Sequence, residues 1–208
     1  MKQPIIIVGA GGHAKVCIEL LQAMGETILC CVGASDSGTT CLGLPVLHGD
    51  HHLARLREEG HTRVFVALGP NRLRARLGQH VRDLGYELVN AISPAAVISP
   101  SARIGAGVAI MAGAVINAEA SIGDLAIINT GATVDHDCVI GATVHLAPQC
   151  TLAGNISVGT GTFLGVGCKV IPDVEIGAHS TIGAGAVVIR PIPSDVTAVG
   201  VPARVLPK

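Results

Sequence analysis

The stretch AIINTGATVDHDCVIGATVHLA, residues 126–147, carries an aliphatic side chain at every sixth position: Ile128, Val134, Ile140 and Leu146. Counting outward picks up Ile98, Ile104, Ile110, Ile116 and Ile122 on one side. On the other it picks up Leu152, Val158, Leu164, Val170, Ile176, Ile182 and Val188. Every one is Ile, Val or Leu. Four residues after most of them stands a small side chain, among them Ala114, Ala120, Ala126, Ala132, Cys138, Cys150, Thr162, Cys168, Ser180 and Ala186. A step of six is not a helical period. Unbroken over this length, it is the signature of a β-solenoid. The expected shape is a triangular prism with one hexad per face and three per coil, the aliphatic position pointing inward. Residues 18 apart then stack in adjacent coils, roughly 4.8 Å from one another.

The composition agrees with a narrow core. Twenty-seven glycines, one Tyr, two Phe and no Trp accompany a 49% hydrophobic content, so the interior must be layered from aliphatic side chains. Fourteen basic against 15 acidic residues leave almost no net charge, so nothing suggests a nucleic-acid footprint, and no basic run points to a membrane surface. The first apolar run, IIIV, stops at glycines, so neither a secretory leader nor a membrane-spanning segment is expected. Seven Cys without CxxC spacing suit reduced, buried thiols and a cytoplasmic location.

The first 92 residues follow another pattern. PIIIVGAGGHAKVCIELLQAMG reads as a buried strand, a glycine turn and an amphipathic helix ending at Gly25. ETILCCVG is a second strand, and Asp50 is placed to cap a short helix. RVFVALG is a third strand, followed by a polar-faced helix with Leu73, Leu77, Val81 and Leu84 on its apolar side. ELVNAI adds a last strand. Alternating strands and helices predict a small Rossmann-like α/β domain over 1–92, followed by the solenoid and a C-terminal cap over 93–208. The turn GAGGHA, Gly9 to Ala14, satisfies G-x-G-x-x-A, whose backbone N–H groups suit a phosphate. A dinucleotide reading needs an acid closing the second strand. Gly33 stands there instead, with Asp36 as a displaced substitute.

The hexapeptide repeat, the closing AVGVPARVL, the turn GAGGHAK and the motif VDHDCVIG together resemble one family. It comprises the sugar O- and N-acetyltransferases of the sialic-acid O-acetyltransferase and nucleotide-amino-sugar N-acetyltransferase type. INTGATVDHDC, LGVGCKVIP and LVNAISPAA most resemble its GDP-perosamine N-acetyltransferase branch. The resemblance covers the whole chain and implies a left-handed parallel β-helix. It implies acetyl transfer from acetyl-CoA to the 4-amine of a nucleotide-linked 4-amino-4,6-dideoxy sugar, and a homotrimer with acetyl-CoA between neighbouring β-helices. Metal is not expected.

An amine attacking a thioester must lose a proton, and an imidazole with a pKa near ~6.5 suits that task, typically contributing ~10²–10⁴ in rate. His136 is the candidate base, and the resemblance gives Asp137 as its partner. Neighbours in a regular strand face opposite ways, so this pair requires a turn at the coil corner; Asp135 is the alternative. A solvated histidine among acids is the plainer reading of the same residues. Gly154 lies one coil beyond His136, and its N–H is a candidate oxyanion donor or simply part of a corner. The resemblance assigns Asn129, His145, Val166 and Ala184, with Gly154, to acetyl-CoA. It assigns Gly11, Gly12, His13 and Gly69 to the nucleotide sugar. Lys169, Arg190 and Arg204 read as solvated charges rather than CoA phosphate ligands. Three rivals remain: an O-acetyltransferase of a sialic-acid-like sugar or an N-acetyltransferase of a UDP-4-amino-sugar; a zinc enzyme of the carbonic anhydrase type; and a noncatalytic sugar-nucleotide scaffold. The zinc reading is disfavoured because His136 and His145, nine residues apart, fall on different faces of a coil.

Overall fold

The computed structural model describes residues 2–207, which divide into two compact units between Pro94 and Ala95. The first unit is built on a parallel sheet. It runs β1 (Ile5–Val8), α1 (Gly12–Ala23), β2 (Ile28–Gly33), β3 (Thr40–Cys41), β4 (Leu44–His48), α2 (His51–Glu58), β5 (Arg63–Val66), α3 (Asn71–Asp83) and β6 (Glu87–Leu88). The strand order is β3-β4-β2-β1-β5-β6, with only β3 antiparallel to its neighbour. β1 and β5 are fully buried apart from Arg63, as strands covered by helices on both faces must be. Helix α1 buries Ala14, Cys17, Ile18 and Leu21, one stripe at helical spacing. The chain leaves it through Gly25 at φ +76°, a backbone conformation glycine adopts without strain.

Two expectations are revised here, and one hairpin is added. Asp50 precedes α2 with an already helical backbone (φ −65°, ψ −18°) and makes no capping bond, so its carboxylate caps nothing. The β3–β4 hairpin was invisible in TTCLGLPVLHG, which is too short and too broken by Gly and Pro to show alternation. The face of α3 expected to be polar buries Arg74, which is only 1% exposed.

The second unit is a left-handed parallel β-helix. Two-residue strands stack in three ladders, and each pairs with the strand 18 residues away: Thr133 with Thr151, Val139 with Ser157, His145 with Phe163. The sixth-position aliphatics are buried except Ile98 and Ile104, which belong to strands at the edges of two ladders. The small residues between them are buried too, because a larger side chain at a corner would meet the coil above or below. All seven cysteines are buried and unpaired. Cys150 and Cys168 stack in adjacent coils, and burial pushes their thiols up to about 11 and about 12. Such thiols stay protonated and act as small apolar fillers.

A second six-residue period sets the corners. Gly107, Gly113, Glu119, Leu125, Gly131, Asp137, Thr143, Gln149, Asn155, Gly161, Gly167, Asp173, His179 and Gly185 all have positive φ. Each coil turns by placing one residue per face in the left-handed region. Where that residue is not glycine, ladder bonds such as Asp137 N–H to Ala118 O (3.0 Å) and Asn155 N–H to His136 O (2.9 Å) hold it there.

Candidate active site

The first cluster forms where strand Thr133–Val134 meets a corner. Asp137 occupies the left-handed position there, at φ +59°. That conformation breaks the strand alternation and brings its Oδ2 to 2.8 Å from His136 Nδ1. Asp135 faces another group: its Oδ1 accepts the His136 backbone N–H at 2.8 Å and Asn117 Nδ2, from the preceding coil, at 2.8 Å. Of the two carboxylates, Asp137 touches the ring and Asp135 holds the backbone. The Asp137 hydrogen bond raises the imidazole above its ordinary 6.5, with the charges of Asp135, Asp137 and Asp173 adding to it. Nδ1 donates its proton to the carboxylate, which leaves Nε2 as the basic nitrogen.

Gly154 lies against that ring. A Cβ built on it would stand 2.5 Å from both Cε1 and Nε2 of His136, so only glycine admits the imidazole in this pose. The Gly154 carbonyl accepts the Asp173 N–H at 3.2 Å, while its own N–H has no acceptor among the described residues.

On another ladder, Asn129 Nδ2 lies 3.1 Å from His145 Nε2, and Asn129 Oδ1 accepts the Thr130 N–H at 2.8 Å. Phe163, 18 residues after His145, meets its ring edge-on at a centroid distance of 5.2 Å. Val166 and Ala184 sit exposed in one column of corners. Val166 O accepts the Gly185 N–H at 2.8 Å, whereas the N–H groups of Val166 and Ala184 have no acceptor among the described residues. Lys169, Arg190 and Arg204 are exposed, and the Arg204 guanidinium donates to the adjacent Ala203 carbonyl, at 3.1 Å. Among the described residues, no group of three or more His, Cys, Asp and Glu side chains is arranged to hold a metal ion.

In the first unit the glycine turn leaves the carboxyl end of β1 beside the loop that leaves β5. Gly9, at φ +119°, must be glycine: a Cβ there would lie 2.7 Å from the Ala67 carbonyl oxygen. Gly11, Gly12 and Gly69 face open space where a Cβ would sit. Gly11 is the N-cap of α1, so its N–H and that of Gly12 are among the donors a helix start leaves unpaired. His13 Nε2 lies 3.5 Å from Cys17 Sγ, and burial, with the Arg74 charge, holds its pKa down at about 4. Arg74 donates to the carbonyls of Leu68 (2.9 Å) and Gly69 (2.7 Å) and to Asn71 Oδ1 (2.8 Å). Gly33 stands where a dinucleotide site needs an acid, and a Cβ there would stand 2.8 Å from Ser37 Oγ and 3.0 Å from Val46 Cγ1, so those side chains would have to shift to admit one. A cleft of about 180 Å³ opens beside it, at the carboxyl ends of β1 and β2, lined by Gly9, Val32, Leu68, Leu73 and Arg76 among others.

Asn117, Phe163 and Arg74 escaped the sequence reading. The first two lie one coil from Asp135 and His145, so the 18-residue register, applied to every polar position, would have found them. Arg74 carried no signal, because a guanidinium on an otherwise polar helix face reads as solvated.

Known proteins share both units. Residues 4–81 match the PglD N-terminal domain, and residues 155–190 match the bacterial transferase hexapeptide of six repeats. The perosamine N-acetyltransferase of Caulobacter crescentus, solved with CoA and GDP-perosamine, is 56% identical over 100% of this chain and 99% of its own, with a TM-score of 0.96. Two variants of that enzyme, with one histidine replaced by Asn or by Ala, were also solved with CoA and GDP-perosamine. The acetyltransferase domain of PglB from Neisseria gonorrhoeae, in complex with acetyl coenzyme A, is 38% identical over 99% of this chain and 100% of that one, with a TM-score of 0.92. The UDP-N-acetylbacillosamine N-acetyltransferase of Bacillus subtilis is 43% identical over 110 residues, which span 52% of this chain and 51% of that protein's length.

Proposed function

Because this chain belongs to the perosamine N-acetyltransferase family of hexapeptide-repeat enzymes, we propose that it transfers acetyl from acetyl-CoA to the 4-amine of a GDP-linked 4-amino-4,6-dideoxy sugar of the perosamine type. The observation that carries this reading is His136, seated on Gly154 with Asp137 at its Nδ1. His136 Nε2 accepts a proton from the attacking amine, whose nitrogen forms the new C–N bond at the thioester carbonyl. Asp137 stabilises the imidazolium so formed and fixes the tautomer. The carbonyl oxygen gains negative charge in the tetrahedral adduct, and the Gly154 N–H donates to it. Collapse breaks the C–S bond, and the CoA thiolate leaves with the proton that His136 returns.

Asn129 fixes the His145 ring, and both serve the acetyl-CoA site, along which Val166 and Ala184 offer backbone N–H groups to the pantetheine arm. Gly11, Gly12, His13 and Gly69 take the nucleotide sugar in the first unit. The relatives' complexes with CoA, GDP-perosamine and acetyl-CoA support both assignments. In the Caulobacter enzyme, complexes with both ligands formed after a histidine was replaced, which fits a histidine that moves protons rather than one that binds. We read the working form as a homotrimer in the cytoplasm; no helix among the described residues is long and apolar enough to cross a membrane.

The test is incubation with acetyl-CoA and a panel of GDP- and UDP-linked 4-amino sugars and a sialic acid, following release of free thiol. Turnover on the GDP-linked 4-amino sugar is expected, with a loss of at least roughly 10²-fold in His136→Ala while acetyl-CoA still binds. Turnover on the sialic acid alone would overturn the substrate.

A further inference from the structure

Arg74 is a cation in the core of the first unit, 1% exposed, and burial pulls its pKa down to about 10. Burying a guanidinium is costly unless its hydrogen bonds are made. Among the bonds it makes are three to neutral oxygens: the carbonyls of Leu68 and Gly69 and the side chain of Asn71. Its donors satisfy two carbonyls of the loop after β5 and the Asn71 side chain, so this charge is tied to the conformation of that loop and not only to the packing of the core.

The geometry of those bonds has a consequence on the other side of the loop. In a trans peptide the carbonyl of one residue and the N–H of the next point in opposite directions. The Leu68 carbonyl points inward to Arg74, so the Gly69 N–H points away from the core, and it has no acceptor among the described residues. Open space lies on the side chain's side of Gly69. This loop leaves β5 next to the glycine turn that leaves β1, since Val8 pairs with Val66 and Gly9 packs against Ala67 and Leu68. The N–H groups of Gly11 and Gly12, which have no acceptor among the described residues, therefore belong to the loop next door. Backbone donors on two adjacent loops, with a buried positive charge behind one of them, form a receptor for a dianion.

We propose that Arg74 is the positioning residue of the nucleotide-sugar site: by holding the Leu68 and Gly69 carbonyls inward it presents the Gly69 N–H to the substrate's diphosphate and lends it positive charge from beneath. This rests on the reading of the glycine loop as the nucleotide-sugar site.

The experiment measures GDP binding by titration calorimetry, with UDP in parallel, and steady-state constants for both substrates. The proteins are the wild type and the variants R74M, R74Q and R74K, each checked for folding by circular dichroism. In a folded neutral variant, GDP affinity should fall about tenfold or more, the scale of one lost charge-assisted interaction. The KM for the nucleotide sugar should rise in step, while the KM for acetyl-CoA and kcat at saturation stay within about twofold. R74K keeps the charge but meets a single carbonyl, so its affinity should lie between. A purely structural arginine would lower melting temperature without this selective effect, and wild-type GDP affinity in folded R74M or R74Q overturns the proposal. If neither neutral variant folds, R74K decides, and wild-type affinity in it is the overturning result. A wild-type protein that binds neither GDP nor UDP removes the underlying reading and this one with it, whereas normal binding to the wild type with unaltered binding to the variants removes only the role of Arg74.

Discussion

The imidazole of His136 lies on the bare Cα of Gly154, one coil further along the solenoid, at a distance that no Cβ can share. The register that stacks the aliphatic core also stacks this pair, so an imidazole and a backbone N–H with no acceptor among the described residues come together without any long-range loop. Gly154→Ala tests that arrangement. Its backbone takes the substitution without conformational strain, because φ is outside the left-handed region. The added methyl must therefore displace the ring rather than unfold the coil. A displacement of about 1 Å at the reacting group is expected to cost on the order of 10²-fold in kcat, with melting temperature little changed. Wild-type turnover in this variant would separate His136 from the chemistry.

On the proposed role of His136, the pH dependence of kcat is expected to report on its contact with Asp137. A base whose pKa is raised above 6.5 remains protonated to higher pH, so activity should climb through an acid limb lying above 6.5. Asp137→Asn removes the main cause of that shift. The limb should move down toward the unperturbed value and the plateau should fall by roughly tenfold or more, because the imidazolium loses its partner. An acid limb that stays in place in the variant assigns the ionisation to another group.

His13 sets a different pH window, this time for stability. Its folded-state pKa of about 4 lies below the unfolded value near 6.5. Between these values the unfolded chain binds a proton that the folded chain refuses, so stability is full above about 6.5 and drains away as pH falls toward 4. The loss by pH 4 is up to about 3 kcal/mol. Urea unfolding at pH 7 and pH 4.5 should show this difference in the wild type and a much smaller one in His13→Gln. An equal slope in both would mean that other groups carry it.

The β-helix was legible because its core repeats: a six-residue aliphatic period has no other structural meaning at this length, and the register followed from it. The chemistry at the corners was only half legible. Side-chain types and the 18-residue spacing brought His136 and Gly154 together on paper, but the direction of Asp137 depends on a positive φ that asparagine, aspartate, glutamine, threonine, leucine and histidine all adopt in this chain. No residue type marks that position, so sequence alone left Asp135 and Asp137 as alternatives. The first unit was legible as strands and helices through their apolar runs. The candidate residues Gly11, Gly12, His13 and Gly69 were named from the sequence, but Arg74 beneath them was not, because it is defined by what it is buried against.

The division of labour between the two carboxylates gives the last test. Asp135 does not touch the ring; it accepts the His136 N–H and the Asn117 side chain, and the Asn117 bond, followed by that backbone N–H, holds its pKa below the usual carboxylate value. Asp135→Asn keeps an acceptor oxygen for the His136 N–H and loses only charge, whereas Asp135→Ala loses the corner's anchor as well. If anchoring is the role, Asn should retain kcat within about threefold and Ala should lose roughly 10-fold or more, with both KM values unchanged. Asn117→Ala, which frees the carboxylate to rotate, should fall between them. Equal losses in the Asn and Ala variants would instead make the charge of Asp135 its contribution, acting on His136 through space alongside Asp137 and Asp173.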